Sequence, residues 1–173
     1  MYILFIVILT DPFGHKVLQG RQIPRRYQPD SILIYEYFEG ILPFNWRGWW
    51  DYGTGALGDM ACHIMAPAFA VMGLGYPTSA ECSVATKYIE NWNKAYYPES
   101  GPIASHITLT FKGKNGKPGI QLHWMDGGIQ PTRPEELGPN EEMGDGGNGV
   151  IFLGTKGKMM AGTYGVNPQL LPT

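Results

Sequence analysis

A chain of 173 residues, 43% hydrophobic and 16% charged, is long and apolar enough to bury one core, which sets aside a wholly disordered segment. Its net charge of −2 supplies no electrostatic reason to bind nucleic acid or an anionic membrane surface, and two cysteines, Cys62 and Cys82, are too few for a disulfide framework or a four-thiolate zinc site. With 24 glycines and 14 prolines, the composition predicts many turns between short strands rather than long helices.

Residues 2–9 form an apolar run, Tyr2-Ile3-Leu4-Phe5-Ile6-Val7-Ile8-Leu9. It is less than half as long as a membrane-spanning helix, and no Lys or Arg precedes it as in a secretory leader. Its β-branched and aromatic residues favour a buried strand over a residual targeting segment. Residues 11–43 carry Asp11-Pro12, Pro24, Pro29 and Gly40, which predicts mostly irregular connection with a short strand-like piece at 32–35. Arg21, Arg25 and Arg26 read as a solvated basic face.

Chemistry is densest between Asn45 and Pro67, a stretch that holds Trp46, Trp49 and Trp50, three of the five tryptophans, and an Asp-x-x-x-His pair. At 100° per residue Leu57, Met60, Ala61 and Ile64 share one side of a short helix, while Gly55, Asp59, Cys62, His63 and Ala66 share the other. Thr54 is the expected N-cap, and Pro67 an end or kink. Asp59 and His63, four residues apart, are neighbours on the polar face, where a carboxylate can hold and charge-stabilise an imidazole. Spacing alone equally describes a solvated i,i+4 ion pair. The small flanking residues Gly55, Gly58, Cys62 and Ala66 leave room beside the pair, which favours a site.

Beyond Pro67 the helical pattern runs to Leu74, where Gly75 and Pro77 stop it. Strands are expected over 80–88, 104–112, 119–125, 150–154 and 158–164, with a hairpin loop at 112–117 and a tight turn at 155–157. Strands in succession without intervening helices imply a predominantly antiparallel β-sheet with the 55–73 helical layer on one face: an α+β fold in a single domain. Gly144-Asp145-Gly146-Gly147-Asn148-Gly149 matches G-x-G-x-x-G, but an acidic loop precedes it and a strand follows, the wrong setting for a dinucleotide fingerprint. His106 and His123 lie in strand patterns without metal-ligand spacing, which predicts a core or surface role. Asp59, Cys62 and His63 lack a nearby fourth ligand, so no metal is expected.

Several separated motifs in order resemble one family: residues 45–63, Gly73-Leu74-Gly75-Tyr76-Pro77-Thr78, Trp124-Met125-Asp126-Gly127-Gly128, Arg133-Pro134-Glu135-Glu136-Leu137 and Gly154-Thr155-Lys156-Gly157-Lys158. Over about residues 42–172 the chain resembles the C-terminal domain of Gfo/Idh/MocA oxidoreductases, in a bacterial branch of sugar degraders. The resemblance implies a dihydrodipicolinate-reductase-like sheet domain that shapes the substrate pocket and joins subunits, with NAD or NADP held by a separate N-terminal Rossmann domain. It also implies sugar, glycoside or polyol substrates. The family's Asp-x-x-x-His pattern falls on Asp59 and His63, making His63 the expected proton acceptor and Asp59 its orienting partner. Arg47, Trp49, Trp50 and Asp51 are expected to contact a sugar ring, the two tryptophans serving equally well as core.

The sequence departs from the family in having no strand-GxGxxG-helix unit and no Glu-Lys-Pro segment, and in carrying Ala66 where an acid is expected. Residues 1–173 are therefore expected to be a partial substrate-binding and oligomerisation domain that holds no dinucleotide alone and is inactive as an isolated fragment. A homo-oligomer through the sheet is expected, with no nucleic-acid or membrane partner, and the compartment, cytoplasmic or periplasmic, is left open. The alternative is a non-catalytic sugar-binding or oligomerisation module.

Overall fold

The computed structural model describes residues 3–8, 45–113 and 119–172. The expectations for residues 11–43, including the basic run, and for most of the 112–117 loop lie outside the described residues.

Among the described residues seven strands form one sheet in the order β2-β3-β4-β1-β5-β6-β7. They are β1 (Ile3–Ile8), β2 (Ser79–Val84), β3 (Ser105–Phe111), β4 (Ile120–Met125), β5 (Gly149–Gly154), β6 (Gly157–Ala161) and β7 (Gln169–Leu171). Two antiparallel units, β2-β3-β4 and β5-β6-β7, flank β1, which runs parallel to β4 and antiparallel to β5. The strand expected at the N-terminus is thus present, and the sheet is predominantly antiparallel as expected, with one parallel pairing, β1 with β4, where β1 separates β4 from β5. Local alternation reveals a strand without revealing its neighbours. Two strand ends were set too far along the chain: Ala85–Tyr88 leaves the sheet, and the chain turns at Gly162 after β6. The short β7 is additional to the expected strands.

The helical stretch forms two helices, α1 (Gly55–Ile64) and α2 (Ala66–Met72), bent by 47° at Met65. Pro67 lies in the first turn of α2, where its missing N–H costs nothing, and Gly73 closes the helix in the left-handed conformation (φ 59). Among the described residues no single helix is long and apolar enough to cross a membrane, although the bent pair together passes on length and composition. Its apolar side faces the sheet. Ile64, Met65 and Ala68 are buried in one cluster with Phe111, Leu122, Trp124, Val150 and Phe152, and Leu57, Met60 and Ala61 pack at its edge. Burying a residue such as Ile64 or Leu122 contributes about 1.5–3 kcal/mol, so this contact fixes the helices on the sheet.

The opposite face is divided. Leu137 and Met143, from the connection between β4 and β5, pack with Ile151, Met160 and Leu171, so part of the expected bare face is covered. On the β3–β4 half the same face carries His106, Thr108 and His123. Register sets Thr108 opposite His123 and puts His106 diagonal to it, with His106 Nε2 and His123 Nδ1 3.0 Å apart and Thr108 Oγ1 3.1 Å from the same Nδ1. His123 Nε2 is buried without a hydrogen-bond partner. Burial, and secondarily the neighbouring His106, hold the His123 pKa below its ordinary value.

Just after β4, Asp126 is buried and accepts hydrogen bonds from Ser105 N, from Ser105 Oγ (2.7 Å) and from Trp124 Nε1 (2.8 Å). Gly127 follows with φ 63, and a Cβ there would run into Ile103 O and Ala104. The Trp-x-Asp-Gly motif is thus a structural joint that ties the start of β3 to the end of β4.

Two measurements test this. Asp126→Ala leaves three buried donors without an acceptor, which should cost about 3 kcal/mol or more and lower the melting temperature by roughly 6–12 °C; a change within about 1 kcal/mol would contradict the joint. For His123, a folded-state pKa below the unfolded value means the unfolded chain binds more protons in acid. Stability should therefore be full above about pH 6.5 and fall as pH drops from there through the folded pKa. His123→Asn should flatten that slope in denaturant titrations, and an unchanged slope would contradict the assignment.

Candidate active-site face of the first helix

The approach to α1 begins with a 3-10 turn, Asn45–Gly48. Trp49 is buried and bridges to Ser100, while Trp50 N donates to Glu99 O (2.9 Å) and Gly101 N to Gly48 O (2.8 Å). Of the two tryptophans with open roles, Trp49 therefore belongs to the core of this joint and Trp50 stays half-exposed. The Trp50 ring lies across Gly55 and Gly101, where a Cβ would sit 3.5 and 3.6 Å from it. Asp51 and Tyr52 are exposed.

The room expected beside the Asp-x-x-x-His pair is partly taken. Gly55 is buried under Trp50, and its φ of 67 suits glycine as the helix begins. Thr54 occupies the N-cap position as expected but makes no side-chain cap bond; its side chain instead leans on Gly58, filling the space a Cβ would need. Gly58, Cys62 and Ala66 are exposed on that side, with Thr54 leaning on the first of them.

Asp59 and His63 stand one turn apart, both half-buried, on the side of α1 away from the sheet core. The expected carboxylate–imidazole pair is not formed. Asp59 Oδ1 accepts from Arg47 Nε at 3.2 Å, and the Arg47 guanidinium lies 4.5 Å from the centre of the Trp46 ring. The physical reason is that a guanidinium carries a permanent charge and several donors in a planar fork that suits a carboxylate. His63 packs instead on Tyr164, ring centres 5.0 Å apart at 57°. Four of the expected site residues, Arg47, Trp50, Asp59 and His63, thus flank α1 or lie on it, with Asp51 exposed nearby in the chain. Among the described residues no group of three or more His, Cys, Asp or Glu is placed to hold a metal ion.

Tyr164 is the neighbour that sequence reading missed. It lies in the turn Thr163–Gly165, with left-handed backbone (φ 61, ψ 10), where a strand was expected. The bracketing pair Gly162 and Gly165 was the available signal that the strand had ended. The glycine-rich run at 144–149 behaves as its context implied: Asp145 and Asn148 exchange backbone hydrogen bonds (2.8 and 3.0 Å) around Gly146 and Gly147, both with positive φ, and the chain passes straight into β5. No helix follows to face a phosphate.

Compared with protein-family models and with curated proteins, the chain matches none.

The contact between Thr54 and Gly58 makes a prediction of sign. Gly58→Ala in a helix ordinarily gains up to about 1 kcal/mol, but here overpacking against Thr54 should outweigh it and give a net loss of about 1 kcal/mol or more. Chemical denaturation should show that loss, and adding Thr54→Gly should turn it into a gain. A stabilising Gly58→Ala with Thr54 in place would contradict the packing.

Proposed function

We propose that this chain is the substrate-binding half of a nicotinamide-dependent oxidoreductase of the Gfo/Idh/MocA type, acting on a CH–OH carbon of a sugar, glycoside or polyol. The observation that carries the reading is the outward side of α1, where the half-buried His63 imidazole and Asp59 on the helix meet Arg47, Trp50 and Tyr164 from flanking turns. An α+β layer with an open, partly polar sheet face agrees with the fold that the motif resemblance implies. We further propose that the finer fold is that family's C-terminal domain, and that its sheet pairs with a second copy.

Oxidation of an alcohol removes a hydride from carbon and a proton from oxygen. His63 is suited to the second task, since imidazole is the side chain that most often serves as a general base. Arg47, held by Asp59, can donate to a neighbouring hydroxyl, and Asp51 can accept from one. Trp50 offers an apolar wall to a ring face. Asp59 acts on the substrate through Arg47, which it holds.

The described residues do not suit a dinucleotide. The Gly144–Gly149 run is a turn before a strand, and its Asp145 carboxylate is already engaged by Thr163. On this reading, as the resemblance implies, the hydride acceptor, NAD or NADP, is held by a separate Rossmann domain, and this chain's residues supply proton transfer and substrate placement. A non-catalytic sugar-binding module would use the same aromatic face without needing His63.

Reduction of NAD(P) should be followed with a panel of sugars and polyols, using the chain alone and the chain joined to a dinucleotide-binding domain. Only the joined form should turn over, and His63→Ala should lower its rate by about 10²–10⁴. Asp59→Asn should cost less. Undiminished turnover in His63→Ala would overturn the proton-transfer role, and sugar binding without turnover even in the joined form would favour the binding module.

A further inference from the structure

Tyr164 stands where a tyrosine gains little for itself. The residue is 65% exposed, and its left-handed backbone costs a non-glycine residue about 1–2 kcal/mol. The surrounding chain nevertheless holds it from three sides. Asp145 Oδ1 accepts from both Thr163 N (3.0 Å) and Thr163 Oγ1 (2.7 Å). Gly162 N donates to Val166 O (2.8 Å) and Gly165 N to Gly162 O (3.0 Å), closing the turn on itself. Gly165, with φ 76, lies so near Pro67 of α2 that a Cβ would sit 3.1 Å from the ring, and Gly162 fits against Asp145 for the same reason. The product of all these contacts is one placement: the Tyr164 ring against the His63 imidazole, at a separation and tilt that suit an attractive aromatic pair.

We propose that Tyr164 is a positioning residue for His63, and that Asp145 and the glycine-rich turn at 144–149 form the clamp that holds it there. The inference rests on the proposed role of His63 and adds the device that orients it. With Asp59 turned to Arg47, no carboxylate among the described residues bonds the imidazole, and the tyrosine ring positions it by packing. The clamp also explains the local sequence: Asp145 must lie in a tight glycine turn to reach across to Thr163, and Gly162 and Gly165 must lack side chains for the Tyr164 turn to seat between Asp145 and Pro67.

The test is side-chain carbon relaxation of His63 by NMR in the full 173-residue chain, with thermal unfolding alongside. Asparagine adopts the left-handed conformation more readily than tyrosine, so Tyr164→Asn should melt at or above the wild-type temperature while the His63 ring loses order. Tyr164→Phe keeps the ring and should retain that order. Asp145→Ala leaves Tyr164 in place but removes the acceptor for Thr163, and should also loosen His63. In a form of the protein that turns over, Tyr164→Asn should lower kcat about 10- to 100-fold with little change in KM for the sugar, and Tyr164→Phe should restore it. A His63 ring equally ordered in Tyr164→Asn overturns the inference; if that variant does not fold, the same result in Asp145→Ala decides it. The relaxation measurement needs neither substrate nor dinucleotide. Failure of the proton-transfer reading, seen as turnover by His63→Ala, is therefore distinct from failure of the positioning role.

Discussion

The constraint on which the arrangement depends is the burial of Ile64, Met65 and Ala68 in one cluster with Leu122 and Trp124. A helix turns 100° per residue, so committing Ile64 to the sheet sends Asp59, Cys62 and His63 to the other side. Trp124 is in turn fixed by its hydrogen bond to Asp126, whose carboxylate also holds Ser105 at the start of β3. The position of the candidate site is therefore set from beneath, through a wholly buried indole and a fully satisfied buried carboxylate. Loss of either loosens the floor on which α1 rests.

From that floor the site is completed by segments distant in sequence. Arg47 arrives from the turn before the helix and engages Asp59, and Tyr164 arrives from the turn after β6 and covers His63. The two partners divide the Asp-x-x-x-His pair between them. Electrostatics decides the first contact, because a permanently charged guanidinium with several donors suits a carboxylate. Packing decides the second.

Much of the fold was legible because it rests on local periodicity. The apolar side of α1, the kink before Pro67 and the alternation in β3, β4, β5 and β6 each follow from residues a few positions apart. So does the dismissal of Gly144–Gly149 as a phosphate cradle, which needed only the strand that follows it. What was not legible depends on pairing in space. Nothing local in residues 2–9 says that β1 lies between β4 and β5, and nothing in His106 or His123 says that register brings their ring nitrogens to 3.0 Å. The Arg47 contact was hidden for the same reason, since a helix-face argument sees only residues three and four apart. Tyr164 was read as strand because β-propensity favours tyrosine, and tertiary contacts from Asp145 and Pro67 overrode that preference. The small residues around Asp59 were read as open space, whereas Trp50 and Thr54 fill two of those places.

The central claim is that the outward face of α1, with Trp50 and Tyr164 beside it, receives a sugar or polyol. It is tested most directly by titrating such compounds into the isotopically labelled chain and following His63, the Trp50 indole and the Tyr164 ring by NMR. The account predicts saturable shifts at these three residues together, with the exposed Trp92 indole and the His106 ring on the opposite sheet face unmoved. Shifts at Trp92 alone, or none at His63 with any compound, would contradict it.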